Sequence, residues 1–469
     1  MLWKSARSRW WAPALVLALA AAIRLAVALA YTPGLFYFDS WLYLGMTRAH
    51  PVLFAPDRPS GYPLLLKLSL SATGTVAAVP VLQHLAGLLT GLLVYVLVRR
   101  LGVPRWIAVT AMALVALDGY TIALEQHILP EALFSLALVA SVAALLLAGP
   151  RWRIALLSGA LLACAILLRT AGLFAVPVWL AFLLFGPPSA ARGRAAGVAA
   201  LALPLILYMS LHALATGQFA LSESDGWFLY GRVASIGGCG QIAVPRAASL
   251  VCREPQLKGA QDPSEYVYSP YSPARIAFGP LSGDSSRVVA ANAALREYAF
   301  AAIEQRPGAY LRLVGSDFLR FFEPGASSPG REDLTLELPP ADLLLYWDDP
   351  PLRRDLLPSY RPVLKGSVLA RAYVDRVRLP GWLLGALLLA SLVRLAVALR
   401  SRTPQSRRTA GAILLLAGVA LAILLGSVAS TAFRLRYLTP VAPLLVCAGA
   451  LALSPTAPSP GSGRRRLSA

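Results

Sequence analysis

One acidic residue stands among aromatic residues just beyond the first long apolar segment of the chain. Asp39 lies within the stretch Tyr37 to Tyr43, which also contains Phe38 and Trp41. At the edge of a low-dielectric medium a carboxyl group has a raised pKa, and such a group can accept a proton as a general base. We therefore predict that Asp39 is a catalytic base. The alternative is a solvated loop acid.

A rigid basic turn follows in the same loop. Arg58 begins the sequence RPSGYP, and Lys67 lies a few residues further on. Two prolines and a glycine predict a fixed turn that presents the guanidinium of Arg58 and the phenol of Tyr62. A guanidinium matches the geometry of a phosphate group, so we predict that Arg58 and Lys67 bind phosphate and that Tyr62 contacts substrate. The alternative for Arg58 is a side chain that extends to the lipid headgroups.

Two carboxylates and an imidazole crowd a short turn between two apolar segments. Glu125, His127 and Glu131 lie in the sequence LEQHILPE. Ionisable groups in such positions are costly and are often functional. Their spacing is compatible with a divalent metal site, but two carboxylates and one imidazole do not identify a metal. We favour hydrogen bonds to a sugar or to the neighbouring helix.

Three more arginines lie in short turns between apolar segments. Arg169 separates two such segments, and Arg434 and Arg436 precede the last one, next to Tyr437. Anionic lipid phosphate is a natural partner for guanidinium groups near a membrane surface. We predict that these arginines bind phosphate and that Tyr437 contacts substrate. The alternative is ion pairing with acids of residues 216–380.

Composition shows what must position these residues. The chain has 469 residues, of which 57% are hydrophobic, and its mean hydropathy is +0.63. These values indicate a polytopic membrane protein. The net charge is +20, but the basic residues form short clusters between apolar runs. That pattern is typical of membrane topology and argues against nucleic acid as a partner.

Apolar runs of about 17–25 residues predict ten membrane-spanning helices and an all-α polytopic membrane protein. The predicted spans are 12–31, 77–98, 106–124, 131–149, 154–168, 171–186, 195–215, 381–399, 410–429 and 438–454.

The distribution of charge predicts the orientation of these spans. With both termini in the cytoplasm, the inner segments carry clusters of Lys and Arg and contain no Asp or Glu. This is the bias expected for insertion into a plasma membrane, and it puts Asp39 on the outer face. The predicted domains are seven spans in 1–215 with a catalytic outer loop at 32–76, an extracytoplasmic region at 216–380, three spans in 381–454, and a disordered cytoplasmic tail at 455–469.

The predicted extracytoplasmic region contains two cysteines. Cys239 and Cys252 are thirteen residues apart in a stretch rich in Gly, Pro and Ser. On an oxidising side of the membrane we predict a disulfide between them. Two unpaired thiols are the alternative.

Together these motifs resemble the polyprenyl-phosphate-dependent glycosyltransferases of the C-type membrane fold. That group includes protein O-mannosyltransferases, lipid A aminoarabinose transferases and actinobacterial relatives. The order of seven spans, an outer region and three spans is similar. The motifs that carry the resemblance are FYFDSWLYL, RPSGYPLLL, LEQHILPEALF, LLRTAGL and RLRYLTPVAPLL.

The resemblance implies an active site on the outer face that moves a sugar from a polyprenyl-phosphate donor to a hydroxyl of a glycan, lipid or protein acceptor, with inversion at the anomeric carbon. Asp39 matches the family's first-loop acid, its catalytic base. The charge of the departing phosphate would be neutralised by Arg58, Lys67, Arg169, Arg434 or Arg436. Many family members have a second acid directly after the first, whereas this chain has Ser40.

A transporter or flippase of an anionic lipid-linked substrate is the alternative from another class. Many transporters contain paired halves with Gly- or Pro-broken spans at matching positions. Seven spans, an outer region and three spans show no such pairing, so we favour the transferase. Because a lipid-linked donor carries its own energy, no nucleotide cofactor is expected.

Overall fold

The computed structural model describes residues 2–47, 58–149, 151–186, 191–257, 262–281, 285–326, 336, 363–364, 367–401 and 403–455. Almost all of the predicted tail, and residues 48–57 of the predicted outer loop, lie outside these ranges.

Helices make up most of the described chain. The first ten are α1 Leu2–Ala30, α2 Phe38–Met46, α3 Gly61–Thr73, α4 Ala78–Arg100, α5 Arg105–Ala116, α6 Gly119–Gln126, α7 Glu131–Ala148, α8 Trp152–Leu168, α9 Val176–Phe185 and α10 Ala191–Thr216. The others are α11 Asp225–Val233, α12 Pro263–Tyr268, α13 Pro273–Phe278, α14 Ser285–Gln305, α15 Pro307–Arg320, α16 Val368–Arg376, α17 Gly381–Arg400, α18 Pro404–Ser430 and α19 Ala442–Ala452. Within the described ranges, 3₁₀ helices cover Thr170–Ala175, Arg246–Arg253 and Leu435–Tyr437.

Six stretches of helix in the described chain are long and apolar enough to cross a membrane, and the bent pair α5 and α6 makes a seventh if it counts as one span. These helices make the chain a multi-pass membrane protein. Three further apolar helices are shorter, at Trp152–Leu168, Thr170–Phe185 and Ala442–Ala452. Apolar helices therefore occur at all ten predicted positions, but ten full spans remain a prediction, as does the outer location of residues 216–380.

Small residues let the helices of the bundle approach closely. Helices α8 and α10 meet at Gly159 and Gly197, where a Cβ on Gly159 would lie 2.1 Å from the Gly197 carbonyl oxygen. Small residues at crossings are typical of membrane helices, because there the attraction comes from close packing rather than from exclusion of water. A larger residue at position 159 would push the two helices apart.

Short stretches of extended backbone connect α1 and α2 to the rest of the protein. Strand β1, Tyr31–Thr32, pairs antiparallel with β2, Val363–Leu364, so the described chain is not entirely helical. Leu35 then forms a parallel bridge with His127. This bridge fixes the chain that leads into α2 against the turn between α6 and α7.

The part of the chain between α10 and α17, which we call the intervening region, has a hydrophobic core of its own. Its centre contains Trp227, Tyr230 and Tyr298, each at most 2% exposed. The sulfur atoms of Cys239 and Cys252 are bonded, with their Cα atoms 5.6 Å apart, which is the predicted pairing. The region therefore carries its own packed core and cross-link beside the helix bundle.

The intervening region packs against one end of the bundle. Tyr310 of α15 donates a hydrogen bond of 2.9 Å to the carbonyl of Ala429 in α18. At the junction of α15 and α17, a Cβ on Gly381 would lie 2.0 Å from the Phe321 carbonyl oxygen. These contacts bring the region over the same end of the bundle that carries α2.

Candidate active site

A cavity of about 800 Å³ lies between the bundle and the intervening region. Its wall is apolar near Leu173, Phe174, Met209 and Leu221. Elsewhere the described part of its wall includes five arginines and four carboxylates, namely Arg58, Arg169, Arg296, Arg434, Arg436, Asp39, Asp225, Asp262 and Glu265. The cavity therefore combines a wall suited to an acyl or prenyl chain with a charged wall suited to a phosphate group and a polar substrate.

Asp39 lies in the first turn of α2 and lines this cavity. Asp39 as a whole residue is 8% exposed to solvent. A carboxylate in the first turn of a helix is favoured by the partial positive charge of the helix N-terminus. The local fold therefore favours an ionised Asp39.

Two arginines bind Asp39, one at each oxygen. Arg436 Nη2 lies 2.7 Å from Asp39 Oδ2, and Arg58 Nη2 lies 3.0 Å from Oδ1. Both guanidiniums also contact aromatic rings. The Arg436 guanidinium carbon lies 4.8 Å from the ring centre of Tyr37, and that of Arg58 lies 5.8 Å from the ring centre of Tyr43. Residues far apart in the sequence thus form one compact charged group.

The prediction of a raised pKa for Asp39 is wrong. Burial by itself raises the pKa of this carboxyl group, but the guanidiniums of Arg436 and Arg58 outweigh burial and hold the pKa below its usual range. Opposite charge within a few ångströms favours the ionised form. Asp39 is therefore a carboxylate at neutral pH, with the charge that a general base requires.

Glu131 lies behind this group. It is 2% exposed, forms an ion pair with Arg169, and has Oε1 3.6 Å from Arg436 Nη1. Arg169 in turn lies 4.8 Å from the ring centre of Tyr437. Arg169, Arg436 and Tyr437 line the cavity, but Glu131 does not. Glu131 therefore contacts two arginines of the cavity wall, and its predicted contact with substrate stays a prediction.

Arg434 lines the same cavity but has a different partner. Its Nη1 lies 3.0 Å from Oδ2 of Asp262, just before α12, and its Nη2 approaches the other oxygen. Burial raises the pKa of Asp262, but the hydrogen bond and charge of Arg434 outweigh it, so that the pKa is lowered. Ion pairing with an acid of residues 216–380, the alternative stated for these arginines, is thus found for Arg434. The pair joins the bundle to the intervening region.

Two residues of the RPSGYPLLLK stretch, predicted to bind phosphate and to contact substrate, lie away from the cavity wall. Lys67 is half-buried on α3 and is not part of the cavity wall. Tyr62 is fully buried, and its hydroxyl donates a 2.7 Å hydrogen bond to Gln83 Oε1. Arg58 precedes α3, which begins at Gly61, whereas Tyr62 and Lys67 lie within the helix, and the side chain of Tyr62 is buried in the bundle.

The structure also separates the trio proposed for a metal. Glu125 binds Arg24 and His84, whereas the His127 ring bonds to the Ala123 carbonyl at 2.7 Å. Within the described ranges, no three His, Cys, Asp or Glu side chains come together as metal ligands. Glu125 and His127 are buried and do not line the cavity, so their predicted contact with substrate stays a prediction. For Glu125 the favoured interpretation, hydrogen bonding to neighbouring helices, is correct.

Sequence reasoning missed a buried polar cluster behind the site. Arg24 of α1 contacts both oxygens of Glu125 at 2.7 and 2.8 Å, and His84 of α4 contacts the same carboxylate at 2.8 Å. A Cβ on Gly87 would lie 1.8 Å from Glu125 Oε1, so this glycine makes room for the carboxylate. An arginine and a histidine inside apolar spans were the available signal.

Comparison with known proteins supports the resemblance. Residues 67–185 match the family model of dolichyl-phosphate-mannose-protein mannosyltransferases. The segment includes Glu125, Glu131 and Arg169 but excludes Asp39. The predicted resemblance to lipid-phosphate-dependent glycosyltransferases is confirmed over this segment. No curated protein sequence matches the chain.

Solved structures of low similarity were also found. The oligosaccharyltransferase of Archaeoglobus fulgidus, tethered to an acceptor peptide, is 16% identical with a TM-score of 0.41, over 95% of this chain and 49% of that chain. ArnT of Cupriavidus metallidurans, bound to undecaprenyl phosphate, is 15% identical with a TM-score of 0.36, over 93% of this chain and 77% of that chain. The present chain thus spans about half the length of the archaeal transferase.

Proposed function

We propose that this protein is an inverting glycosyltransferase that moves a sugar from a polyprenyl-phosphate donor to a hydroxyl acceptor. The observation that carries the proposal is an ionised Asp39 held between Arg58 and Arg436, in a cavity with an apolar wall on one side. The family match over residues 67–185 supports the same class of donor.

The arginines of the cavity suit a phosphate monoester or diester. Arg436 is 7% exposed, and its Nε has no hydrogen-bond acceptor among the described residues. Arg169 and Arg58 line the same cavity. A phosphate group here would gain charge-assisted hydrogen bonds, and its growing charge during bond cleavage would be stabilised by groups already in place.

Donor binding also changes the basicity of Asp39. In the free protein its oxygens bind Arg436 and Arg58. A donor phosphate competes for the same guanidiniums, and burial then raises the pKa of Asp39 as the pairing weakens. The carboxylate becomes a stronger base at the moment when the donor is present.

In the proposed reaction, Asp39 accepts the proton of the acceptor hydroxyl. The hydroxyl oxygen attacks the anomeric carbon from the side opposite the phosphate, and the bond between that carbon and the phosphate oxygen breaks. The electron pair of this bond leaves with the polyprenyl phosphate, whose charge the arginines neutralise. A single displacement inverts the anomeric configuration.

The apolar wall suits the prenyl chain of the donor. Phe174 and Leu173 belong to the 3₁₀ helix that follows Arg169, and Met209 belongs to α10. This arrangement lets the chain lie among apolar side chains while its phosphate reaches Arg169 and Arg436. The acceptor, a glycan, lipid or protein, then approaches from the side of the intervening region, where Asp225 and Arg296 line the cavity.

We further propose that this cavity faces the outside of a plasma membrane and that both termini lie in the cytoplasm. The clusters of Lys and Arg in the predicted inner segments support this orientation. The disulfide in the intervening region fits an oxidising compartment.

The test is donor consumption by the purified protein in lipid vesicles. A panel of radiolabelled polyprenyl-phosphate hexoses and pentoses would be offered with candidate acceptors, and free polyprenyl phosphate would be measured. We expect release with at least one donor and none with Asp39→Asn. Movement of intact donor across the vesicle membrane without release would favour a flippase and contradict the proposal.

A further inference from the structure

Asp39 depends on more than its arginines for its position. The backbone that leads into α2 pairs with the turn after α6: Leu35 N–H donates to the Gln126 carbonyl at 3.0 Å, and Ile128 N–H donates to the Leu35 carbonyl at 2.9 Å. These bonds join the catalytic turn to a buried segment that does not reach the cavity. We call residues 125–128 the support segment.

Ser40 attaches α2 to the same segment. Its hydroxyl donates to the Ile128 carbonyl at 2.9 Å and accepts from the Tyr37 N–H at 2.8 Å. Ser40 is fully buried and directly follows Asp39. The serine that replaces the family's second acid therefore links the base to the support segment.

Gln83 of α4 holds the support segment from behind. Its side-chain nitrogen donates to two carbonyls, those of Glu125 at 2.7 Å and His127 at 2.6 Å. Its oxygen accepts the hydroxyl of Tyr62 at 2.7 Å. Gln83 is fully buried and does not line the cavity. Both amide hydrogens and the amide oxygen thus have partners, which fixes the orientation of the side chain.

The next residue of α4 holds the side chains of the same segment. His84 contacts Glu125 and, at 2.9 Å, Gln126 Oε1, and Gln126 in turn donates to the Tyr31 carbonyl at 2.8 Å. One turn of α4 thus fixes the support segment through both its carbonyls and its side chains. Without Gln83, the Glu125 carbonyl would lose this donor, and the His127 carbonyl would keep only the Leu129 N–H at 2.8 Å. The segment would shift to regain the lost hydrogen bonds.

We propose that Gln83 is a positioning residue for Asp39, acting through the support segment and Ser40. The inference rests on the proposed function, since it assigns Asp39 the role of base. A displacement of about 1 Å at a reacting group can lower a rate by about 100-fold. Loss of Gln83 should therefore lower kcat rather than donor affinity, because the arginines proposed to bind phosphate lie on other elements.

Kinetics of Gln83→Met, which keeps the length of the side chain, test the proposal. We expect kcat to fall by about 10- to 100-fold while KM for the donor stays within about twofold. Ser40→Ala should lower kcat less, and the double variant should lose less than the product of the two single losses, because both act on the same segment. Thr90→Val is the matched control, because it removes a buried hydroxyl on α4 that donates to the Ala86 carbonyl within the same helix; its kcat should not change.

Amide hydrogen exchange gives a readout that does not need catalysis. Gln83→Met should speed exchange in a peptide covering residues 31–47 and leave peptides of the intervening region as in the wild type. Unchanged exchange at 31–47, a uniform increase across the chain, or a loss that is mainly in KM would each overturn the proposal.

Two controls keep the outcomes separate. If Gln83→Met yields no folded protein, Tyr62→Phe takes its place, since it removes only the bond to Gln83 Oε1. We expect the same pattern with a smaller loss of kcat, and its absence contradicts the proposal. If the wild type consumes no donor, the proposed function fails, and the exchange measurement alone decides whether Gln83 positions the Asp39 turn.

Discussion

Arginine and carboxylate side chains form two clusters in this protein that share composition and differ in surroundings. The cavity cluster consists of Asp39, Arg58, Glu131, Arg169 and Arg436, and the bundle cluster consists of Arg24, His84, Glu125 and Gln126. Both include an ion pair shorter than 3 Å between residues far apart in the chain. Their difference shows which charges are available for binding.

In the bundle cluster, the polar side-chain groups are engaged in hydrogen bonds with one another and with backbone carbonyls. Arg24 contacts both oxygens of Glu125, and its remaining nitrogen donates to the Ala116 carbonyl at 2.7 Å. Glu125 is fully buried. A buried pair with its partners present holds helices in register, and its hydrogen-bonding groups are already in use.

In the cavity cluster, some donors remain for a ligand. The side chain of Arg58 is 20% exposed and that of Asp39 is 11% exposed. Arg436 Nε has no acceptor in the described part of the chain. Both clusters contain charge, so what distinguishes them is access to a cavity and hydrogen-bond donors that have no acceptor among the described residues.

The largest expected contrast comes from neutralising one carboxylate in each cluster. Asp39→Asn should lower the rate of sugar transfer by about 10²- to 10⁴-fold, the usual contribution of a general base. Glu125→Gln should instead lower the free energy of unfolding by about 3–5 kcal/mol, because it leaves a buried guanidinium uncompensated. Transfer assays and thermal unfolding of both variants measure the contrast. Near-normal transfer by Asp39→Asn, or an unchanged stability of Glu125→Gln, would erase the distinction between the clusters.

The next effect concerns donor affinity. Arg436→Ala should weaken binding of a polyprenyl phosphate by about 10- to 100-fold, since a hydrogen bond to a charged group contributes about 1.5–3 kcal/mol. Arg436→Lys should recover part of this loss, because it keeps the charge and loses the planar fork. Equilibrium binding of labelled polyprenyl phosphate gives both values. Equal affinity of wild type and Arg436→Ala would remove this arginine from the phosphate site.

A smaller effect is expected from pH. Because the pKa of Asp39 in the folded protein lies below the ordinary value of 3.8, its ion pairs stabilise the fold fully above about pH 4. This stabilisation is lost as the pH falls through the lowered pKa. The difference in unfolding temperature between wild type and Asp39→Asn should therefore be constant from pH 8 to pH 5 and shrink below pH 4. A difference that already declines between pH 7 and pH 5 would show that Asp39 is not held by these arginines.

The smallest effect is expected from Lys67→Ala. Lys67 is half-buried on α3 away from the cavity wall, so its removal should change donor affinity and transfer rate by less than about twofold. Arg58→Ala is the matched comparison from the same sequence motif, and it should weaken donor binding clearly. A loss of affinity in Lys67→Ala as large as in Arg58→Ala would show that donor binding rearranges α3.

Much of the cavity cluster was predictable from residue type and context. Asp39 stands among aromatic residues beyond an apolar segment, and Arg169 and Arg436 lie in short turns between apolar segments, where a bare charge is costly. The positions of Lys67, Tyr62, Glu125 and His127 relative to the cavity were not predictable. Tyr62, Glu125 and His127 lie at helix ends, where a shift of one or two residues decides whether a side chain faces the cavity or the bundle, and Lys67 lies in the middle of α3.

The sequence by itself determined that this is a multi-pass helical membrane protein with an acid among aromatic residues in its first loop and several arginines outside the apolar runs, because hydropathy and charge act locally along the chain. Only the tertiary structure decided which charges meet. Asp39 and Arg436 are almost 400 residues apart in the sequence. Their 2.7 Å contact, rather than burial alone, decides that the pKa of Asp39 is shifted downward. Pairing of this kind depends on how the helices pack, and packing is a property of the whole chain.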